Sequence, residues 1–564
     1  MGRAFRDQIH VGQRRQRQKN GDVYILERRT KYDPATKKTV TVGQKLLGKI
    51  VAGTTEMVPT RAKRPAKAAP VAATRKHTGL TDILEHVGGE SGIDGDVRRA
   101  FPEGGAAEKI LSLARFWVAT GGRTPPRMAA WQAMHPTPYP GTMGEDVIGD
   151  LFRQVGRDEE GIQRYFRLRA ERLGTHPAVA YDSTTVSTHS ERLHEARRGF
   201  NKDGDGLDPI KLLTLYSVKE REPIAFAKQP GNVPDVVSVG NALTQLECLG
   251  LSKALVVTDN GCYSQANMAE FAARGMKFLT LADPDVRWVR ESIEALRGEL
   301  EGGGCICPFD PDTCGATRCL SGQPLARKKR GGGEETVRRR LWVHVFRSPD
   351  VRAKRESEFN RRLVEVRELL ERGEELSPSA RRWADRYLAA VRAGRRGRKV
   401  ACNDEAVREA RKSFGFFALV TNQPMDAFEA LRNYRLREKI EELYGMGKRH
   451  FDGRRPRLWN ADALRGRQFV QFVGLGYLSR FRKDVDEMER SLGIEREGVK
   501  QDRLKLEKNL KSWLKARSTL DVFDWFDCIE TTQVATEAAR FRWSTESVRR
   551  DDLFISLLGL RQSQ

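Results

Sequence analysis

The 564-residue chain has no apolar run approaching the roughly 18 residues that a bilayer-spanning helix needs, which argues against a membrane protein. Its first 20 residues are basic and polar without an apolar stretch, so no secretory signal is read there. Cysteine is scarce. There are eight (Cys248, Cys262, Cys305, Cys307, Cys314, Cys319, Cys402 and Cys528), and four of them stand singly, which fits a reducing cytosol better than a disulfide framework. His77, His189 and His194 show no ligand spacing and receive no role, while His344 alternates with apolar residues and reads as structural. Acidic residues are also in short supply, 76 against 100 Lys and Arg, for a formal charge of +24. The deficit is uneven, with residues 1–77 holding 19 basic against 5 acidic side chains. Such an arm favours a polyanion, and nucleic acid is preferred over an acidic membrane surface because no spanning segment accompanies it.

What is present divides the chain into seven regions. Residues 1–53 are basic and strand-rich, with Val23–Leu26 and Thr39–Val42 flanking a turn at Asp33-Pro34. Residues 54–77, rich in Ala, Pro and Lys, read as a solvated linker. Residues 78–176 carry apolar positions at spacings of three and four and are expected to be helical. From 177 to 284 strands and helices alternate in the order βββαβαβ, with Asp182 expected at the end of the first strand and Asp259 at the end of the fourth. A helix bearing a third acid would complete a ribonuclease-H-like α/β domain. That helix comes only after residues 285–412, which are expected to be an inserted domain interrupting the catalytic sheet. Residues 413–480 then supply the strand Phe416–Val420, which could instead belong to the insertion and pair with Trp342–Phe346, and the helix, and 481–564 form a C-terminal helical region. Within it, Arg503–Leu514 is an amphipathic, Lys-rich packing or subunit-pairing element.

That helix carries Tyr434, Arg437, Glu441 and Lys448. At 100° per residue, offsets of 0, 3, 7 and 14 fall within roughly 60° of one face. Gly445 and Gly447 are expected to fray the helix before Lys448. A carboxylate ringed by cations suits a group that holds a metal close to phosphates, although Arg437–Glu441 is also ordinary helix-surface spacing. Three carboxylates from separate elements are what a two-metal phosphoryl-transfer site needs, with hard divalent ions about 4 Å apart.

The segments Ala180-Tyr181-Asp182-Ser183-Thr184-Thr185, Gly199-Phe200-Asn201-Lys202-Asp203, Pro230-Gly231-Asn232 and Val257-Thr258-Asp259-Asn260-Gly261-Cys262-Tyr263-Ser264 resemble the catalytic core of DDE-type insertion-sequence transposases. Tyr434, Arg437, Glu441 and Lys448 match the signature of the YREK (IS-four type) subgroup at every spacing. The resemblance implies that Asp182, Asp259 and Glu441 bind divalent Mg²⁺ or Mn²⁺ as the catalytic triad, and that Tyr434, Arg437 and Lys448 contact phosphates of the transposon end. It implies cleavage at the element's ends, transfer of the 3′-hydroxyls into target double-stranded DNA, and a homo-oligomer, a dimer in the synaptic complex, to join two ends. It also implies a bacterial cytoplasmic setting, on the nucleoid when DNA is bound. One departure is that Asn260 follows Asp259, where many relatives have arginine.

Weaker signals remain. Cys305, Cys307, Cys314 and Cys319 could hold a structural Zn²⁺ or be free loop thiols. The basic runs Arg327–Arg330, Arg338–Arg340 and Arg392–Lys399 are solvated faces or phosphate contacts. Trp342, Trp459 and Trp513 read as core residues, with stacking on a displaced base as the alternative.

Overall fold

The computed structural model describes residues 8–60, 72–175, 177–190, 192–328, 333–389, 392–394, 397–451, 458, 460–496, 498, 500–535, 540–545 and 547–560. Trp459, Lys329 and Arg330 of the first basic run, and Arg395 and Arg396 of the third fall outside them. The chain divides into two compact units: Met1–Thr74 with Thr532–Arg542, and Arg75–Thr531 with Trp543–Gln564.

In the first unit His10–Arg17, Val23–Asp33, Lys38–Ile50 and Met57–Val58 form a four-stranded antiparallel sheet in sequence order. Its surface is largely solvated, with Ile25 buried. Ala72–His77, read from sequence as linker, is a strand in a three-stranded sheet with Glu530–Ala535 and Arg540–Ser544. Its neighbour Glu530–Ala535 lies some 450 residues downstream, so no local pattern announces the pairing.

The second unit is built on a nine-stranded sheet. Its strands are Ala178–Thr188 (β1), Asp208–Ser217 (β2), Glu222–Pro230 (β3), Leu255–Thr258 (β4), Lys277–Ala282 (β5), Ile306–Cys307 (β6), Asp310–Lys328 (β7), Glu334–Arg347 (β8) and Phe416–Thr421 (β9). They lie in the order β6-β7-β8-β9-β5-β4-β1-β2-β3. β1, β2 and β3 run antiparallel, whereas β1, β4 and β5 run parallel. Parallel neighbours need crossovers, and Asp235–Cys248 (α1) and Gln265–Ala273 (α2) supply them. Ser264 caps α2 by accepting from the Asn267 amide. The sheet is mixed and flanked by helices, as in a ribonuclease-H-like core.

The stretch 285–412 does not stand apart from this sheet. β8 pairs with β9 from Trp342–Thr421 to Arg347–Phe416, and β9 pairs with β5, so β6 to β9 prolong the β1–β5 sheet on its β5 side. Helices Pro349–Arg372, Pro378–Tyr387 and Asp404–Lys412 occupy the segment between β8 and β9, with a small core of their own around Val366, Ala384, Leu388 and Val400.

Two long helices pack on the sheet, Ala427–His450 (α3) and the 31-residue Ala461–Ser491 (α4). α4 joins the six helices between Gly79 and Glu171 to the sheet. Phe469 packs against Phe101 and Tyr165, with ring centroids 5.2 Å apart in both pairs, while Phe472 meets Phe226 of β3. The approach of α4 to helix Glu145–Arg157 is close enough to require glycine on both sides. A Cβ on Gly466 would lie 2.0 Å from the Phe152 carbonyl oxygen, and one on Gly156 would lie 1.8 Å from that of Asp462. Beyond α4 come helices Gln501–Lys515, Thr519–Asp527 and Arg549–Leu557. Leu504, Leu510, Trp513 and Leu514 are buried, so this C-terminal helix packs into the core. Among the described residues no helix is long and apolar enough to cross a membrane.

Candidate active site

Three elements meet at one edge of the sheet. Asp182 lies inside β1 rather than at its end, opposite Thr214 of β2. On its other side β4 pairs with β1 only as far as Tyr181–Thr258, after which Asp259 turns into a short 3-10 segment. The stop of β4 opens the sheet beside Asp182 and sets the two carboxylates together at the carboxyl edge of the parallel pair. α3, capped by Asp426 accepting from the Phe428 and Glu429 amides, lays one face across that edge. It remains helical through Gly445 and Gly447 to His450, so the expected fraying does not occur.

Arg437 lies at the centre. Its guanidinium approaches Asp182 Oδ2 at 3.8 Å, Asp259 Oδ1 at 3.7 Å and Glu441 Oε1 at 3.3 Å. Its side chain is only 5% exposed, while that of Glu441 is 61% exposed. Burial opposes the charge on Arg437, but Tyr434, Asp259, Asp182 and Glu441 outweigh it and hold the pKa above the usual arginine value. Tyr434 donates to Asp259 Oδ1 at 3.0 Å, and Arg437 stacks over its ring. Burial raises the Tyr434 phenol. Both side chains are thus turned to the acids instead of standing free on the surface. Lys448 lies on the same helix, but its side chain is outside the described residues.

Burial also pushes the Asp182 carboxyl up to about 6, against the opposing pull of Lys202, Arg437 and the Ser183 amide. Asp182 Oδ1 accepts from that amide at 2.8 Å, whereas Oδ2 is buried without a hydrogen-bond partner. An unsatisfied carboxylate oxygen in the interior is costly unless a cation compensates it. Three carboxylates, one of them buried and two open to solvent, offer the oxygen donors that hard divalent ions take, so the residues fit such a group.

Sequence reasoning missed several neighbours. Tyr444 donates to the Asp182 carbonyl at 3.0 Å. It stands seven residues after Arg437, so the same helical periodicity points to it. Lys202 Nζ donates to the Ser183 carbonyl at 2.6 Å, and Asp235 accepts from Ser183 Oγ at 2.7 Å and Lys211 Nζ at 2.8 Å. These form a polar bed under β1 that only the folded sheet assembles.

The four-cysteine stretch does not gather. Cys314 and Cys319 lie five residues apart on one extended strand, opposite Ile306 and Trp342 respectively. Cys305 and Cys307 are buried and Cys319 is exposed. No group of these cysteines has metal-binding geometry among the described residues. Arg338–Arg340 are exposed on β8, Trp342 is half-buried in the sheet and Trp513 is buried.

A family model of the transposase DDE domain matches residues 173–469, more than half of the chain and the span that contains all three acids. The chain belongs to that family, whose members cleave nucleic acid, transfer strands and generally use divalent metal ions. Among solved structures it is similar to the cryo-EM structure of the piggyBac transposase synaptic complex with hairpin DNA, at 10% identity and a TM-score of 0.33, over 79% of this chain and 80% of that one. No curated protein matches it.

Proposed function

We propose that this protein is a DNA transposase of the YREK (IS-four type) subgroup, cutting at the ends of an insertion sequence and joining the freed 3′-hydroxyls to target DNA. The observation that carries the reading is the convergence of Asp182 from a strand, Asp259 from the turn that follows one, and Glu441 from a helix, within 4 Å of Arg437. When bound at these oxygens, Mg²⁺ or Mn²⁺ would supply the charge that activates the attacking hydroxyl and stabilises the leaving oxygen.

The chain's own groups prepare that site. Asp182 is fixed by the Ser183 amide and by the Tyr444 hydroxyl on its carbonyl. Tyr434 orients Asp259 through a hydrogen bond. Arg437, which bridges the three acids, would pair with a phosphate of the bound transposon end, because a guanidinium matches phosphate as well as carboxylate oxygens. Lys448, one helical face along, would meet a neighbouring phosphate as a point charge. The basic strand-rich region 1–53 and the helical region 78–176 would bind the transposon end, region 285–412 would form the insertion typical of the subgroup, and two copies would be needed to pair two ends.

The test is a strand-transfer assay with a duplex ending in the repeat that flanks the gene, a supercoiled target plasmid and Mg²⁺ or Mn²⁺. Joined product is expected from the wild type, and neither cleavage nor joining from Glu441→Gln, which should still bind the end. Free ends without joined product would make the protein a nuclease. End binding without metal-dependent cleavage would make it a non-catalytic DNA-binding protein.

A further inference from the structure

We propose that His77, His135 and Asp527, with Glu530 beside them, form a binding site for one divalent ion of the zinc class. The site shares no residue with the Asp182–Asp259–Glu441 cluster. His77 ends the strand Ala72–His77, and His135 follows helix Met128–Met134. Asp527 ends helix Thr519–Asp527, and Glu530 begins the strand after it. One ring nitrogen of each histidine and one Asp527 carboxylate oxygen all lie within 4.8 Å of one another. Ligands of a tetrahedral zinc, at bonds of 2.0–2.2 Å, stand about 3.4 Å apart, so closure needs movement of only about an ångström.

The protons single out a cation. His77 Nδ1 lies 2.8 Å from the Asp527 carbonyl oxygen, and His135 Nδ1 lies 2.8 Å from that of Trp131. A carbonyl oxygen can only accept, so Nδ1 carries the hydrogen on both rings. Each Nε2 then faces a carboxylate: His135 Nε2 is 3.0 Å from Asp527 Oδ1, and His77 Nε2 is 3.4 Å from Glu530 Oε1. Two neutral rings would aim lone pairs at anions. Two protonated rings would stack like charges, because their centroids are 5.1 Å apart. One divalent ion relieves both conflicts. It also finds both imidazoles in the arrangement that metal-ligating histidines prefer, with the distal N–H held by a backbone carbonyl.

The surroundings suit a structural ion. The His135 side chain is 7% exposed and stacks flat on Trp131, with centroids 4.2 Å apart, whereas Asp527 is 35% exposed and leaves a way in. Arg75 pairs with Glu530, so that carboxylate is the supplementary ligand and the other three are the core of the site. An ion here would clip the end of the strand Ala72–His77 to a residue 450 positions later in the chain, a loop whose closure costs much entropy.

The experiment uses the full chain stripped with chelator, then titrated with Zn²⁺ and, as a spectroscopic probe, with Co²⁺. The expected result is one tightly bound ion per chain in the wild type and in Asp182→Asn/Glu441→Gln, with melting raised by several degrees on zinc addition. The cobalt spectrum should show no thiolate charge-transfer band. His77→Gln, His135→Gln and Asp527→Asn should each bind roughly tenfold or more weakly and lose the zinc-dependent rise. Circular dichroism of each chelated variant matching the chelated wild type would show that the fold survives. Absence of a zinc effect in the wild type would mean imidazolium–carboxylate pairs and overturn the site. Unchanged binding in the three variants, or thiolate bands with cobalt, would overturn it equally.

Discussion

The Asp182–Asp259–Glu441 cluster and the His77–His135–Asp527 cluster both bring together side chains far apart in the chain, but they differ in donor chemistry and in their cost to the fold. The first offers oxygens alone and is bridged by Arg437, with Asp182 held inside a strand where burial resists its ionisation. The second mixes imidazole nitrogen with carboxylate, lies where helices and strands end, and orients both rings through backbone carbonyls. Oxygen sites of the first kind suit hard ions that stay partly hydrated and meet phosphates, whereas nitrogen-bearing sites of the second kind suit ions that remain in place. The difference teaches that one fold can hold one charged cluster at the expense of stability and another in its service.

The largest effect expected from breaking this comparison is on catalysis. Glu441→Gln should lower DNA cleavage on the order of 10³-fold or more, as loss of a charge-stabilising group does. Zinc binding at the histidine cluster should be unchanged in the same preparation. A variant that keeps both activities would erase the distinction. Next, His135→Gln should lose the zinc-dependent rise in melting temperature while DNA cleavage, measured at a temperature where both proteins are folded, stays within about twofold. A parallel loss of cleavage would show that the two clusters are coupled.

A smaller effect concerns stability, and its sign depends on pH. The Asp182 carboxyl titrates at about 6 in the fold against 3.8 ordinarily, so ionising it costs the native state above pH 6. Asp182→Asn should therefore stabilise the metal-free protein by about 2–3 kcal/mol at pH 7 and above. The gain should shrink as pH falls from 6 to 4, because wild-type Asp182 is then protonated as well. Denaturant unfolding at several pH values measures this, and a loss of stability at pH 7 would contradict the account. Glu441, largely solvated, should give no comparable gain on conversion to Gln. The smallest expected effect is that of Tyr444→Phe, which removes the hydrogen bond to the Asp182 carbonyl. It should cost about 1 kcal/mol by the same unfolding measurement and reduce cleavage a few-fold.

Much of the core sheet was legible from the chain. The apolar runs Ala254–Val257 and Phe278–Leu281 announced strands, and the proline-free stretch from Leu431 to Lys448, rich in Arg, Leu, Glu and Lys, announced α3. Helical spacing placed Tyr434, Arg437 and Glu441 on one face, and in the fold that face meets Asp182 and Asp259. The pattern did not show that β1 runs on past Asp182 while β4 stops, since strand ends are fixed by pairing partners. The pairing of Trp342–Phe346 with 414–421 was legible, but not that it joins the strands within 285–412 to the sheet carrying Asp182, because that depends on β9 bonding to β5 along its other edge. The cysteine spacing left a metal site and free thiols equally open, and the extended strand that separates Cys314 from Cys319 was not visible in it.

Composition and periodicity were enough to identify a basic, α/β, acid-bearing protein and the helix face on which its carboxylate and guanidinium sit. Those properties are local, set by 3.6-residue and two-residue repeats and by summed charge. The tertiary structure alone decided that Arg437 would be shared by three acids and that Asp182 would be buried enough to resist ionisation. It alone brought His77 and His135 to Asp527, for no periodicity links residues 58 and 392 positions apart, and their meeting depends on where the sheets and helices close the chain.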